Sequence, residues 1–174
     1  MGAVILWCVS HTKGDKLKTV QHDSLFDINV RELNQDESKQ ISTFVEGKKA
    51  VLVVNLASGW GLTDKYYKQL VQMDKDLGGE GLQILGFPSN TFNQEKGTAK
   101  EIHEFARGKY GAEFPIFEKI EVNGPKTHEA YNYLRTNSEL FDTKSNVAKP
   151  IPWSWSKFLV DSNGKVVKFY PTII

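Results

Sequence analysis

Residues 51–63, VLVVNLASGWGLT, limit what this chain can fold into more than any other stretch. Positions 51–56 are too apolar and too rich in β-branched side chains for a strand with one solvated face, so they belong at the centre of a sheet covered on both sides. A tight Ser58-Gly59-Trp60-Gly61 turn follows and opens a helix. In α/β folds this turn is where chemistry sits, because the first N–H groups of the helix lack intrahelical partners and the aligned peptide dipoles favour an anion. A thiolate or selenolate gains from that position. The exposed slot holds Trp60, which cannot ionise in that way.

Around this stretch the composition is that of an ordinary globular protein: 174 residues, 40% hydrophobic and 25% charged. With 22 basic and 21 acidic side chains the net charge is +1 and no basic stripe appears, which argues against nucleic acid as a partner. The single cysteine, Cys8, excludes an internal disulfide and fits an intracellular reducing compartment, cytoplasm or mitochondrion. No apolar run reaches the length of a transmembrane segment. Residues 2–9, GAVILWCV, lack the flanks of a signal peptide and read as a short strand or docking arm. Residues 1–23 are thus an arm and linker, and residues 24–174 one domain. His11, His22, His103 and His128 have no metal-ligand spacing, and Gly59 and Gly61 lack the Lys-Ser/Thr of a phosphate loop. No metal and no cofactor is called for.

Along the chain, the alternation in residues 24–30, SLFDINV, predicts a half-buried strand, with residues 41–44 its partner in an N-terminal β-hairpin. After the central turn, Leu62, Tyr66, Leu70, Met73 and Leu77 fall on one helical face and read as core, with Gly78-Gly79 ending the helix. Residues 81–88 form a second buried strand and residues 89–97 a polar loop. Thr98 and Glu101 have capping-box spacing, and Ile102, Phe105, Ala106 and Lys109 continue that helix. Residues 114–120 supply a short strand or loop, 127–134 a short helix and 137–149 an irregular excursion. Residues 155–160 and 165–170 flank an Asn163-Gly164 hairpin signal. The order predicts an α/β fold, a mixed central sheet flanked by helices, as in thioredoxin-like proteins.

Several of these stretches together resemble one family. Residues 55–63, NLASGWGLT, resemble the glutathione peroxidase signature N-V-A-S-x-(Sec or Cys)-G-x-T; residues 81–88 resemble its G-(L/F)-x-I-L-(A/G)-F-P strand, and residues 90–97 its N-Q-F-x-x-Q-E-P-G loop with one residue missing. Residues 101–105, Glu113-Phe114-Pro115, KIEVNG at 119–124 and WSWSKFLVD at 153–161 follow in family order, so the resemblance covers residues 24–172. It implies a thioredoxin-like fold and reduction of hydroperoxides by a chalcogen anion, regenerated by a thiol such as glutathione or thioredoxin. By motif the family's nucleophile maps to Trp60, its Gln to Gln94, its Trp to Trp153 and its Asn to Ser154. Other sulfur positions of the family map to Ser89 and Arg107.

An indole forms no sulfenic or selenenic acid, so the chain as written does not run the family's cycle. Three accounts stand: a peroxidase-fold pseudoenzyme, its indole filling the old pocket; a selenocysteine UGA codon read as tryptophan in an active peroxidase; and Cys8 recruited as the nucleophile. The resemblance also implies a C-terminal helix that is missing after residue 170. The expectation is a sheet face left for a protein partner, in a structural or accessory subunit of a larger assembly, or covered by the arm at residues 2–9. Glutathione or thioredoxin would be partners only of an active form.

Overall fold

The computed structural model describes Gly14, Lys16, Leu17 and residues 22–172. The arm at residues 2–9, with Trp7 and Cys8, lies outside the described residues, as does His11. Ser24 begins the domain as a cap: its Oγ accepts the Phe26 N–H at 3.1 Å, and a 3-10 turn at Leu25–Asp27 replaces the first part of the expected strand. The hairpin forms further on, with β1 (Asn29–Arg31) antiparallel to β2 (Ser38–Gln40). The partner is therefore not residues 41–44. Ile41 instead leads a short helix, α1 (Ser42–Val45), where Ile41 and Val45, four residues apart, turn to the core together. Every residue of β2 is exposed, so this strand leaves no alternation to read.

β3 (Ala50–Leu56) runs into α2 (Thr63–Leu77), which returns to β4 (Leu82–Pro88), parallel to β3. A capping box at Thr98 and Glu101 starts α3 (Ala99–His103), which widens into a π-helical stretch over Glu104–Lys109. α4 (Glu129–Thr136) follows, then a small antiparallel pair, β5 (Phe141–Asp142) and β6 (Val147–Ala148), inside the expected excursion. The chain closes with β7 (Lys157–Asp161) and β8 (Val166–Tyr170), giving one mixed sheet in the order β4-β3-β7-β8.

The turn between β7 and β8 has three residues rather than two. The Gly164 N–H donates to Asp161 O at 3.1 Å and the Asp161 N–H to Lys165 O at 2.9 Å, while Gly164 alone takes the left-handed conformation, at φ 78°. The Asp161 carboxylate sets this loop, accepting the N–H groups of Asn163 at 2.8 Å and Lys165 at 3.0 Å.

β3 is buried on both faces. Val51 and Val53 join Leu85, Phe87, Phe158 and Val160 in a core closed by Leu25, Ile28, Tyr131 and Leu134, whereas Leu52, Val54 and Leu56 face Tyr67, Leu70, Ile102 and Trp155. This is the period-two alternation of a pleated strand with helices on either side. α2 is rolled from the expected stripe: Thr63, Tyr67, Leu70 and Val71 are its buried residues, while Leu62 and Leu77 are 39% and 41% exposed. Leu62 lies before the first helical residue, and the next turn is aimed by Thr63 instead. Tyr66, Met73 and Leu77 consequently border an apolar groove, whose floor is Leu52, Leu82, Leu159 and Tyr170.

Two outcomes follow from this packing. Leu70→Ala should lower the unfolding free energy in urea by about 2–5 kcal/mol, whereas Leu77→Ala should lie within about 0.5 kcal/mol of the parent protein. The second concerns His128, whose Nδ1 caps α4 by accepting the Ala130 N–H at 3.2 Å and whose imidazole burial pushes below its ordinary range. The unfolded chain therefore binds the extra proton first, so stability present above about pH 6.5 is lost as pH falls below it. His128→Asn, which caps without titrating, should flatten that part of a urea-midpoint against pH profile.

Candidate active site

Between β3 and α2 the chain is closed by Thr63, whose Oγ1 donates to Ala57 O at 2.9 Å and accepts the Trp60 N–H at 3.2 Å. The Thr63 N–H in turn donates to Trp60 O at 3.1 Å. The Trp60 amide is thus committed within the turn. Its side chain is half-buried rather than exposed, and its ring stacks on Tyr66 at 5.7 Å between centroids and 15° between planes.

A loop at residues 89–97 is fastened to this turn from one side. The Gly59 N–H donates to Gln94 O at 2.8 Å, and Ser58 Oγ donates to Glu95 Oε1 at 2.6 Å. A Cβ at Gly59 would sit 3.0 Å from Gln94 O, tighter than an ordinary contact, so a side chain there would push the loop back by a few tenths of an ångström. The loop is braced in its turn: Asn90 Oδ1 accepts the Glu95 N–H at 3.0 Å, and Lys119 Nζ donates to Glu95 O and Gly97 O at 3.1 and 2.7 Å.

From the other side come Trp153, Ser154 and Trp155. Buried Asn55, near the end of β3, donates from Nδ2 to Trp153 O at 3.1 Å and accepts the Trp155 N–H on its backbone oxygen at 2.7 Å. Trp155 is fully buried at φ 67°, a left-handed conformation that costs a bulky residue about 1–3 kcal/mol and persists because these bonds and its packing hold it. The reversal aims Ser154 Oγ at Gln94, where it donates to Oε1 at 3.0 Å. Trp153 packs its ring on Phe92 at 5.3 Å.

Of the sequence-predicted residues, Gln94 and Ser154 therefore meet directly, and Gln94 touches the turn through its backbone at Gly59. The ring of Trp60 lies against Tyr66 of α2, while that of Trp153 lies against Phe92. Ser89 is buried and shares a hydrogen bond with Thr91 Oγ1 at 2.9 Å, and the Arg107 guanidinium donates to Ala112 O. Sequence reasoning passed over Glu95. Its only signal was its place beside Gln94 in the loop motif, yet it is fully buried and its Oε2 has no hydrogen-bond partner.

The family profile of glutathione peroxidase matches residues 25–135, which include the turn and Gln94. The chain belongs to the glutathione peroxidase family. It is 44% identical over 124 residues to the chloroplastic phospholipid hydroperoxide glutathione peroxidase of Pisum sativum, covering 71% of this chain and 50% of that protein. It is also 44% identical over 128 residues to glutathione peroxidase-like peroxiredoxin 2 of Saccharomyces cerevisiae, covering 72% and 75%. The chain spans only 50% and 61% of the first chloroplastic relatives, from Pisum sativum and Arabidopsis thaliana. Among solved structures, T. cruzi GPX1 superposes with a TM-score of 0.64 at 28% identity, over 86% of this chain and 87% of that one. A thiol:disulfide interchange protein DsbE from Chlorobium tepidum, at 17% identity and a TM-score of 0.54 over 91% and 84%, shares the thioredoxin-like fold.

Burial pushes the Glu95 carboxyl above its ordinary range, against the hydrogen bond from Ser58 that favours the anion. The folded protein therefore holds this proton more tightly than the unfolded chain. The stability it contributes is complete below about pH 4.5 and is lost as pH rises through the folded-state value. Glu95→Gln, uncharged and of the same size, should raise the melting temperature at pH 7 relative to the parent and narrow the difference at pH 4. Equal shifts at both pH values would show that Glu95 carries no such proton.

Proposed function

We propose that this glutathione peroxidase-family protein has Trp60 in the peroxidatic position and works as a non-catalytic structural or accessory subunit of a larger assembly. The observation that carries the reading is Trp60 itself, at the head of α2, with its ring committed to packing on Tyr66. Reduction of a hydroperoxide by this family's route needs a nucleophile that ionises, takes up oxygen and is reset by a thiol. An indole offers no such cycle. Gln94 is already engaged by Ser154, so the loop is held together without a chalcogen.

The apolar groove beside α2, about 610 Å³, supports the second half of the reading. A partner's apolar side chains would cover Met73, Leu77 and Leu159, a surface of the kind that marks interaction sites. The relatives named above as chloroplastic, and another from Arabidopsis thaliana named as mitochondrial, favour an intracellular compartment for this protein too. No helix among the described residues is long and apolar enough to cross a membrane.

The second reading is an active thiol-dependent selenoperoxidase, Trp60 being a misread selenocysteine. It is favoured by the preserved frame of the turn, with Asn55, Ser58, Gly59 and Thr63 all in bonding positions. Intact-mass measurement of the protein from its natural source separates the two. An ordinary tryptophan at residue 60, together with hydroperoxide consumption no faster than the buffer in the presence of glutathione or thioredoxin, is the expected result. A selenium isotope pattern, or turnover abolished by Cys8→Ser, would replace it with one of the catalytic accounts.

A further inference from the structure

Trp60 is the first of a continuous file of oxidisable rings. Its indole stacks on Tyr66 at 5.7 Å and 15°, Tyr66 stacks on Trp155 at 5.6 Å and 16°, Trp155 meets Tyr67 edge-on at 5.0 Å, and Tyr67 stacks on Tyr110 at 4.7 Å and 6°. No adjacent pair of centroids is more than 5.7 Å apart. The file starts at the half-buried turn, crosses the core beneath α2 and surfaces again at Tyr110.

The rings differ in what happens to their proton when an electron leaves. A phenol that loses an electron becomes a strong acid, and it stays oxidised only where a base takes its proton. The Tyr67 hydroxyl and Trp155 Nε1 are buried with no hydrogen-bond partner, so oxidation there would leave an unsolvated positive charge. Tyr66 donates to a backbone carbonyl, Thr172 O, at 2.5 Å, a poor base, and Lys157 Nζ stands 4.7 Å above its ring and repels positive charge. Tyr110 alone in the file donates to a carboxylate, Asp64 Oδ1, at 3.2 Å. Asp64 is paired with Lys68 at 2.7 Å, and that hydrogen bond holds its carboxyl below the ordinary range. This makes it a weaker base but keeps it ionised, and an oxidised phenol is acidic enough to give its proton to a carboxylate in direct contact. Lys109 Nζ, 5.0 Å from the Tyr110 ring, opposes oxidation there, but the Asp64 carboxylate offsets its charge and the phenolic proton can leave.

We propose that Trp60, Tyr66, Trp155, Tyr67 and Tyr110 form a one-electron relay that carries an oxidising equivalent from the Trp60 turn to a neutral radical at Tyr110. The oxidant belongs to the class of alkoxyl or peroxyl radicals. Such a radical takes one electron from Trp60 and one proton from solvent, becoming an alcohol or hydroperoxide. The Trp60 radical cation is refilled through Tyr66, Trp155 and Tyr67 by an electron from Tyr110. Tyr110 gives its phenolic proton to Asp64, which passes it to solvent. The sum is one radical reduced and one tyrosyl radical formed, with no chalcogen taking part. This relay rests on the reading of residue 60 as tryptophan but not on the protein being an assembly subunit, because it needs only the rings and Asp64.

The test places the oxidant at the proposed entrance. Gly61 is exposed and a Cβ there meets nothing within 4 Å, so a Cys8→Ser, Gly61→Cys chain can carry a ruthenium polypyridyl photo-oxidant beside Trp60. Flash-quench oxidation followed by electron paramagnetic resonance should give a tyrosyl signal that Tyr110→Phe removes. Trp60→Phe and Trp155→Phe, which keep a ring in place and whose folding is checked by circular dichroism, should each cut the yield at least about tenfold. Asp64→Asn, at the surface, should slow the appearance of the signal. A Tyr110 radical formed in equal yield with Phe at 60 and at 155, or a radical that remains on Trp60 or settles on a different tyrosine, would overturn the relay.

Discussion

The two bonds that Asn55 makes to the chain a hundred residues later are what the rest of the site stands on. Its side-chain amide holds Trp153 O and its backbone oxygen holds the Trp155 N–H, which forces the left-handed reversal at Trp155. That reversal does two things at once. It turns the Ser154 hydroxyl toward Gln94, and it sends the Trp155 indole inward to lie between Tyr66 and Tyr67. Both consequences draw on the burial of β3 on two faces, which fixes the strand from which Asn55 holds its strained neighbour.

Much of this was legible in the chain before any coordinates. The apolar runs marked β3 and β4 as buried strands, because a doubly buried strand has no polar face to disguise it. Thr98 and Glu101 announced their capping box by spacing alone. What could not be read was rotation and register. The stripe from Leu62 to Leu77 has ideal helical spacing, yet the helix buries the neighbouring face because Thr63, tied to Ala57, fixes its first turn. The hairpin β1–β2 sets buried Val30 of β1 against a β2 whose residues are all exposed, so nothing in the side chains of β2 records that pairing. Glu95 was invisible for another reason: a glutamate in a polar loop reads as solvated until the loop is seen folded under the turn.

On the proposed reading the site has kept its mechanics and lost its reagent. Thr63, Gly59 and Asn55 still serve the turn as hinge pins, while the residue they present has been diverted into the aromatic packing of α2. The same diversion brings Trp60 into line with Tyr66 and Trp155, so one substitution both ends the two-electron route and sets the entrance of the one-electron file.

Gly59 shows how such a scaffold can age. The position faces Gln94 O so closely that a side chain there would need the loop to give way by a few tenths of an ångström, whatever reaction is or is not being run there. Fit alone favours glycine at 59, whereas the hydrogen bonds of the turn run through the backbone of residue 60 and place no demand on its side chain. On the proposed reading, a backbone contact of this kind is kept by packing alone and persists with or without turnover.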